Sequence, residues 1–279
     1  MIHNDNHTSA VSSASVSGEK VQRLTTLLRS YESVIVAYSG GVDSTYLAAI
    51  AHETLGPKAL IVTAQSASMA QGEFAFASGL ARSRGWNYRV IGAGETNDPR
   101  WLKNDAQRCY FCKADLFATL EKIAREEKIG RILYGAIPED LGDVRPGHRA
   151  AREFKVAAPL IEAGLTKPEI RALSRTLGLP SWDKPQAACL ASRFPTGTLI
   201  SISTLGQVDR AEDVLTRHGF RGHRVRHHGE LARIEIQPDD WPRLGDPALH
   251  RDIVESLKAL GYKYVTVDLA GYRPAGLNK

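Results

Sequence analysis

The sequence contains few cysteines, no long apolar run and only a small excess of positive charge. Three cysteines among 279 residues are too few for a disulfide framework, which leaves metal binding or thiol chemistry as their roles in a cytoplasmic protein. The longest apolar runs, such as VIVAY, have the length of a strand, whereas a membrane-spanning helix needs about 20 residues. The first residues show no basic stretch followed by an apolar one, the pattern of a secretory signal. We therefore expect a cytoplasmic protein with no membrane partner.

Charge and composition limit the class of protein further. The chain has 36 basic and 31 acidic side chains, a formal net charge of +5. This balance permits an anionic substrate but is too small to indicate nucleic acid. Apolar residues make up 43% and charged residues 24%, which is typical of a soluble globular enzyme. A chain of 279 residues corresponds to about two domains, or one large α/β domain, at roughly 150 residues each.

Strand-like and helix-like segments alternate along the first two thirds of the chain. β-Branched apolar runs alternate with segments whose apolar residues recur at helical spacing. The predicted strands cover residues 33–38, 59–63, 88–91 and 132–134, and the predicted helices cover 45–55, 71–84, 112–128 and 167–177. Such alternation is typical of parallel βαβ units, so we predict an α/β fold with an open parallel sheet.

Composition also predicts the division of the chain. Residues 1–19 are rich in Ser, Asn and His and lack apolar periodicity, so we predict a disordered tail there. Residues 20–190 form the predicted α/β domain, and the proline-containing segment 179–198 is a loop of a length typical of functional loops. Residues 200–279 show the order helix, strand, strand, helix, strand. We predict a smaller α+β domain there, for substrate binding or oligomerisation.

The first predicted strand is followed directly by the segment Ser39-Gly40-Gly41-Val42-Asp43-Ser44. Two glycines let the backbone approach an anion, and the N-terminus of the next helix offers free N–H groups. A carboxylate at Asp43 beside a bound phosphate requires a cation between them, so we predict Mg²⁺ at this residue. The alternative is a glycine-rich turn with a serine cap. The pattern is neither a Walker motif nor GxGxxG.

This segment resembles the pyrophosphate loop of the ATP-pyrophosphatase superfamily, or PP-loop enzymes, which includes GMP synthetase, NAD synthetase, asparagine synthetase and the tRNA thiolases. The resemblance implies that residues 39–44 bind ATP and that ATP is cleaved to AMP and pyrophosphate. A carboxylate or carbonyl of the substrate is thereby adenylated. The resemblance also implies the adenine nucleotide α-hydrolase-like fold, and it leaves the substrate open.

All three cysteines fall in one set. Cys109 and Cys112 form a CxxC at the start of a predicted helix, and Cys189 lies in the loop AACLASRFPTG. A helix N-terminus favours the thiolate, which is the form that binds metals. Three thiolates are one short of a closed Zn(Cys)₄ site, but they suit a [4Fe–4S] cluster with one open iron. A dithiol redox pair, a zinc site completed by a histidine and incidental core cysteines are the alternatives.

Segments in both predicted domains resemble the LarE family of sulfur transferases. They are GAIPEDLGDVRPG at 135–147, the stretch from Lys184 through Arg193 to Gly197, HRVRHHGELARIEI at 223–236 and YKYVTVDLAGY at 262–272. The resemblance runs from about residue 21 to the C-terminus. It implies an ATP-dependent enzyme that converts a carboxylate of pyridinium-3,5-dicarboxylate mononucleotide to a thiocarboxylate, for the nickel-pincer nucleotide cofactor of lactate racemase.

The cysteines distinguish two forms of this family. In one form a single cysteine, in a segment matching that around Cys189, gives up its own sulfur and becomes dehydroalanine. This sequence adds Cys109 and Cys112, so it resembles the three-cysteine form, in which a [4Fe–4S] cluster carries the transferable sulfide. We therefore expect Cys189 to be a cluster ligand. The catalytic residues expected from the resemblance are Cys109, Cys112, Cys189 and Asp43.

Arginines are concentrated in one predicted hairpin. Five lie between residues 217 and 233, opposed only by Glu230. Arg224 and Arg226 are two residues apart on a strand and so share one face, and Glu235 on the next strand can orient one of them. Paired guanidinium groups suit a phosphate, here that of a mononucleotide, and a solvated basic hairpin is the alternative. The LarE resemblance adds Arg193 and Glu212 to this candidate phosphate site.

Three charged residues follow the last strand of the predicted sheet: Asp140, Asp143 and Arg145. Open parallel sheets bind ligands at the carboxyl ends of their strands, so these side chains can help to hold Mg²⁺ or ribose. A surface loop capped by an aspartate is the alternative interpretation.

Two other functions agree with part of the pattern. A cluster-dependent tRNA thiolase also combines a pyrophosphate loop with a CxxC and a further cysteine, but it needs a wide basic surface. A non-catalytic ATP-binding redox sensor has no use for Asp43. The partners expected for the LarE type are a small nucleotide substrate and a sulfide donor, without nucleic acid, and the family resemblance implies a homo-oligomer.

Overall fold

The computed structural model describes residues 6–142, 146–185 and 188–272, with side chains from residue 17 onward. In these ranges the helices are α1 (Asn6–Ser30), α2 (Val42–Leu55), α3 (Gln71–Ser83), α4 (Pro99–Leu102), α5 (Arg108–Glu126), α6 (Pro146–Glu153), α7 (Pro159–Glu162), α8 (Lys167–Thr176), α9 (Ile202–Arg217) and α10 (Pro247–Ala259). The strands are β1 (Val34–Ala37), β2 (Ala59–Gln65), β3 (Tyr88–Gly92), β4 (Arg131–Tyr134), β5 (Arg224–His228), β6 (Leu231–Glu235) and β7 (Tyr264–Val267). No helix of the described ranges is long and apolar enough to cross a membrane.

The chain divides into two compact units. Unit 1 comprises Met1–Gln65, Ala75–Ala93 and Lys113–Lys184, and unit 2 comprises Ser66–Phe74, Gly94–Cys112 and Pro185–Lys279. Two segments that precede residue 113 therefore belong to unit 2. The predicted division assigns both segments to the first domain, because it follows sequence order. Helix α1 begins inside the segment 1–19, whose predicted disorder stays a prediction.

Unit 1 is built on a four-stranded sheet in the order β3-β2-β1-β4. Every strand pair in it is parallel, and Val34 of β1 lies opposite Ala59 on one side and Arg131 on the other. Val34, Ile35 and Val36 are all fully buried. Because successive side chains of a strand point to opposite faces, burial of all three means that both faces of the sheet are covered. The predicted open parallel sheet is confirmed.

Unit 2 contains a three-stranded sheet in the order β5-β6-β7, in which β5 and β6 are antiparallel and β6 and β7 are parallel. Its apolar core joins this sheet to helices α9 and α10, with Leu215, Val225 and Leu257 essentially inaccessible to solvent. The predicted order of helix, strand, strand, helix, strand after residue 200 is confirmed.

Helix α5 begins at Arg108, four residues before the predicted start, so the CxxC lies inside its first turns. The short helices α4, α6 and α7 are not predicted by the sequence pattern. Helix α6 has a sequence, PGHRAARE, in which only Ala150 and Ala151 are buried. With no large apolar residue, it offers no helical apolar period from which to predict it.

Candidate active site

The SGGVDS loop, residues 39–44, lies where the direction of the chain across the sheet of unit 1 reverses. From β1 the chain passes to β2 and β3 on one side, and β4 then pairs with β1 on the other side. The loop follows β1, and the segment that begins with Gly135 follows β4. Open α/β sheets bind ligands at this point, outside the carboxyl ends of the strands. The sequence-predicted ATP residues therefore occupy the expected position.

Hydrogen bonds between near neighbours shape the loop. The Ser39 N–H donates to Ser44 Oγ over 3.2 Å, the two hydroxyl oxygens lie 3.1 Å apart, and the Ser44 hydroxyl donates to the Gly41 carbonyl over 3.2 Å. Gly41 is the N-cap of α2, so the helix starts within the motif. These contacts close the loop around the end of the helix, where unpaired N–H groups attract an anion.

Two glycines are required by this geometry. Gly40 has φ +75°, and a Cβ placed on it would lie 2.9 Å from the Ala77 Cβ. Gly135, at the end of β4, leaves no room for a Cβ, which would lie 2.8 Å from the Ser44 nitrogen. The backbone after β4 therefore packs directly on the SGGVDS loop.

Asp43 combines a buried carboxylate with an incomplete set of partners. Its Oδ2 accepts from Lys167 Nζ at 2.5 Å, while its buried Oδ1 has no hydrogen-bond partner among the residues that the structure describes. Burial raises the pKa of Asp43, against the lowering effect of Lys167, and the nearby charge of Asp140 raises it further. An unpartnered carboxylate oxygen in this position fits a Mg²⁺ ligand.

Two lysines at this loop were not among the predicted site residues. Lys167, at the start of α8, pairs with Asp43. The Lys184 ammonium lies 3.5 Å from the Gly40 carbonyl oxygen and 3.8 Å from the centre of the Phe76 ring. No local pattern links these lysines to a loop more than 120 residues earlier, so only the folded chain identifies them.

Asp140 lies in the turn after β4, where its Oδ2 accepts from the Ile137 N–H at 3.1 Å. It acts on Asp43 through charge. Asp143 and Arg145, the other two candidates of that segment, lie outside the described residues.

The three cysteines all belong to unit 2. They form no disulfide, and Cys109 and Cys189 are exposed while Cys112 is partly buried. Cys112 packs against an apolar cluster that includes Leu190 and Ala191, the two residues after Cys189. The fold therefore brings the CxxC turn (residues 109–112, in the first turns of α5) and the Cys189 segment to one apolar cluster.

Within the described ranges, no group of three or more His, Cys, Asp or Glu side chains is arranged to hold a metal ion. Three exposed or half-buried thiols of one unit are nevertheless the right donors, in type and number, for a cluster with one open iron. The donor set fits an iron–sulfur cluster, and the ligand arrangement remains a proposal.

The Cys189 loop, residues 188–193, is held through its backbone carbonyls. The Arg193 guanidinium donates to the carbonyls of Ala188 at 2.8 Å and Cys189 at 3.2 Å. Arg226 donates to the carbonyl of Ser192 at 2.9 Å. Both arginines are almost completely buried, so these bonds fix the loop from inside unit 2.

Arg193 and Glu212 form a bidentate pair with N–O distances of 2.8 and 2.9 Å. Glu212 also accepts from the Val225 N–H at 2.9 Å. Burial alone raises the pKa of Glu212, but the charge of Arg193 and its hydrogen bonds outweigh burial and hold the pKa below its usual value. The carboxylate thus stays ionised and orients the arginine.

Arg224 and Arg226 share one face of β5, as predicted, but have different surroundings. Arg226 makes a bidentate pair with Glu235 at 2.9 and 2.8 Å, and both side chains are almost completely buried. Glu235 therefore orients Arg226 as the sequence suggested. Arg224 donates to the His223 carbonyl at 2.9 Å and to the Tyr272 hydroxyl at 3.2 Å. Burial, with a smaller effect of Arg193, lowers the pKa of Arg224.

Comparison with known proteins identifies the family. No family model matches the chain. The chain is 38% identical over 260 residues to an uncharacterized protein of Synechocystis, covering 93% of this chain and 97% of the relative. It is 35% identical over 261 residues to the pyridinium-3,5-bisthiocarboxylic acid mononucleotide synthase of Lactiplantibacillus plantarum, covering 93% and 94%. The chain belongs to the LarE family.

A more distant relative connects this LarE chain to the PP-loop enzymes. One of the subunits of the glutamine-hydrolyzing GMP synthase of Methanocaldococcus jannaschii is 28% identical over 185 residues, covering 62% of this chain and 57% of the relative. The predicted superfamily and fold class are therefore confirmed. The chain is an ATP-dependent sulfur transferase of the PP-loop type.

Proposed function

We propose that this LarE chain adenylates a carboxylate of pyridinium-3,5-dicarboxylate mononucleotide and converts it to a thiocarboxylate for the nickel-pincer nucleotide cofactor. The observation that carries the proposal is the similarity to a synthase of the bisthiocarboxylic acid mononucleotide over nearly the whole of both chains. The substrate carboxylate oxygen attacks the α-phosphorus of ATP, and pyrophosphate leaves. A sulfur nucleophile then attacks the adenylated carbonyl carbon, and AMP leaves with the C–O bond electrons.

In unit 1, the SGGVDS loop supplies the N–H groups and hydroxyls that bind the pyrophosphate part of ATP. Asp43 would hold Mg²⁺ through its unpartnered Oδ1, and the ion would supply positive charge for the pyrophosphate leaving group. Lys167, which already neutralises Asp43 Oδ2, keeps this carboxylate in place. These residues favour the transition state through charge rather than covalent chemistry.

In unit 2, Arg224 is the guanidinium that we assign to the phosphate of the mononucleotide. Arg226 and Arg193 face their own glutamates, Glu235 and Glu212, which neutralise their charges, so these two arginines contribute by keeping the Cys189 loop in place. Arg224 is disfavoured as a cation both by burial and by the charge of Arg193. A bound phosphate would offset both effects. Of these three arginines, Arg224 is therefore the one at which an anion gains the most binding free energy.

We assign Cys109, Cys112 and Cys189 as ligands of a [4Fe–4S] cluster. When bound, such a cluster supplies an open iron that carries the transferable sulfide. The three thiols of this sequence would hold such a cluster and would leave one iron without a thiolate. Cytoplasmic location, a sulfide donor and a homo-oligomeric state are parts of the same proposal.

The reaction is tested with protein purified anaerobically. Iron and acid-labile sulfide are measured, and the enzyme is then given ATP, Mg²⁺, sulfide and the dicarboxylate mononucleotide. We expect AMP, pyrophosphate and the thiocarboxylate product by mass spectrometry, over many turnovers. Thiolation of tRNA in its place, or a colourless protein with stoichiometric zinc, would contradict the proposal.

The cysteines are tested as one unit. Removal of any one cysteine disrupts the same centre. Thiolation should therefore fall to a similar extent in Cys109→Ser, Cys112→Ser, Cys189→Ser and the triple variant. If Cys189 is instead a sacrificial sulfur donor, the first two variants complete one turnover and the spent protein is lighter by one H₂S. That loss of mass, located at Cys189, would contradict the cluster assignment.

A further inference from the structure

Residues 102–104, at the end of α4 and just after it, are hydrogen-bonded to residues 195–200 at several points within unit 2. The Gly197 N–H donates to the Asn104 carbonyl over 2.9 Å, and the Ile200 N–H donates to the Leu102 carbonyl over 3.0 Å. The Asn104 side-chain amide donates to the Pro195 carbonyl over 3.0 Å. These bonds fix residues 195–200 to the chain just before the CxxC turn.

Asn104 is unusual in its backbone and its burial. It has φ +52°, a left-handed conformation that asparagine tolerates better than most residues, and it is 1% exposed. Its Oδ1 accepts from Arg108 Nη1. Asn104 thus joins the loop after Cys189 to the first residue of helix α5.

Arg108 extends this connection to the cysteines themselves. Its Nη1 also donates to the Ala191 carbonyl at 2.9 Å, two residues after Cys189. Its Nη2 lies 4.0 Å from the Cys109 sulfur. One guanidinium group therefore contacts both the Cys189 loop and the CxxC turn, which are 80 residues apart in sequence.

We propose that Arg108 is a positioning residue for sulfur transfer, which holds the Cys189 loop beside the CxxC turn through Ala191 and Asn104. This inference rests on the proposed function, in which the three thiols act together. Arg193 and Arg226 fix the carbonyls of Ala188, Cys189 and Ser192 to α9 and β5. Arg108 fixes the remaining side of the loop, toward the turn that contains Cys109 and Cys112.

The planar guanidinium is suited to this task. It can donate to Ala191 and Asn104 at once in a fixed geometry. A lysine keeps the charge but donates from a single flexible point. Glutamine removes the charge and shortens the reach.

The loop position is measured first, on the reduced, iron-free protein, by hydrogen exchange of the amides of residues 188–200. Arg108→Gln should speed exchange there about tenfold, the change expected when one charge-assisted hydrogen bond is lost. Exchange in β5 and β6 and the melting temperature should stay as in the wild type. Arg125→Gln, on the same helix, removes an arginine that is bonded to Glu121, and it should leave exchange at 188–200 unchanged.

Thiolation is measured next, with sulfide and the dicarboxylate mononucleotide. Arg108→Gln should lower kcat about tenfold with the KM for ATP unchanged, and Arg108→Lys should recover part of the loss. Asn104→Asp keeps an oxygen for Arg108 but removes the donor to Pro195, so it should speed exchange near Pro195 more than near Ala191. This variant tests the connection even if Arg108→Gln fails to fold.

Wild-type exchange at 188–200 in Arg108→Gln would overturn the proposal, as would faster exchange with wild-type thiolation. A uniform drop in melting temperature and protection across unit 2 would assign Arg108 a purely structural role and overturn it as well. The exchange readout needs no iron, so a wild-type protein without a cluster contradicts only the proposed function. If the wild-type protein holds a cluster but Arg108→Gln leaves exchange at residues 188–200 unchanged, only the role of Arg108 is contradicted.

Discussion

The SGGVDS loop and the Cys189 loop are stabilised in opposite ways. The first is closed by Ser39 and Ser44, five residues apart, and by the helix that it begins. The second is held by residues distant in sequence: Arg226 and Arg108 donate to its carbonyls, and the Leu190 N–H donates to the Ser68 carbonyl over 2.8 Å. One loop is determined by its own motif, and the other by the fold around it.

This difference agrees with the chemistry that we propose for each loop. A phosphate is bound by N–H groups that a strand–loop–helix unit presents without help. A set of thiols from two distant segments needs both segments fixed together, and the long-range bonds around Cys189 supply that restraint. Removal of a single remote partner should therefore disturb the Cys189 loop more than the SGGVDS loop.

The largest expected effect is at Asp43. Asp43→Asn should abolish AMP formation, a loss of about a thousandfold, because it removes the charge that we propose as a Mg²⁺ ligand and leaves the fold intact. The same variant should be more stable than the wild type at neutral pH. AMP formation with normal Mg²⁺ dependence would remove Asp43 from the mechanism.

The pH dependence follows from the raised pKa of Asp43. A raised folded-state pKa means that the carboxyl contributes stability below its ordinary pKa of 3.8 and loses it as the pH rises through the folded value. The stability advantage of Asp43→Asn should therefore be present at neutral pH and vanish below the ordinary pKa of 3.8. Urea unfolding at several pH values measures it, and an advantage independent of pH would argue against a burial effect.

Gly135→Ala should affect both stability and ATP binding. The added Cβ would meet the backbone of Ser44 at 2.8 Å, and crowding of this kind costs about 1–3 kcal/mol. We expect a melting temperature lower by roughly 4–8 °C and a rise of about tenfold or more in the KM for ATP, since the displaced groups are those that we assign to phosphate binding. At Gly142 a Cβ meets nothing within 4 Å, so Gly142→Ala is the matched control. Equal behaviour of the two variants would show that the loop tolerates displacement.

The sequence predicted the first loop better than the second for a physical reason. Glycines, serines and an aspartate after a buried strand already define the backbone and the donors, so the candidate ATP residues could be named from the pattern. The partner of Asp43, Lys167, is 124 residues away, and no spacing rule connects them. Long-range ion pairs depend on how helices pack, which local pattern does not specify.

The arginines show the same limit. Strand alternation correctly placed Arg224 and Arg226 on one face and Glu235 beside them. It did not reveal that Arg226 is buried in an ion pair and bonded to the Ser192 carbonyl, because burial depends on what covers the strand. Arg108 was not selected at all, since a single arginine before a CxxC has no distinctive pattern.

The two strand arginines should therefore respond differently to truncation. Arg224→Ala should raise the KM for the nucleotide substrate about ten- to a hundredfold and leave the KM for ATP unchanged, because it removes the charge-assisted bond that we propose to the phosphate. Arg226→Ala should instead lower the free energy of unfolding by about 3 kcal/mol, because it leaves the buried Glu235 with less compensation. Steady-state kinetics and urea unfolding of both variants separate these effects. A shared pattern would mean that the pair acts as one phosphate site.

The smallest expected effect is at Lys184, which connects the SGGVDS loop to a residue outside the motif. Its ammonium lies over the Phe76 ring and 3.5 Å from the Gly40 carbonyl, and a half-exposed contact of this kind contributes about 0.5–1 kcal/mol. Lys184→Met should therefore raise the KM for ATP about two- to fivefold with little change in melting temperature, whereas Lys184→Arg, which keeps the charge above the ring, should stay near the wild type. Steady-state kinetics with ATP and Mg²⁺ measure the difference. A hundredfold loss would mean that Lys184 binds the phosphates directly, and that the first loop also depends on a distant residue.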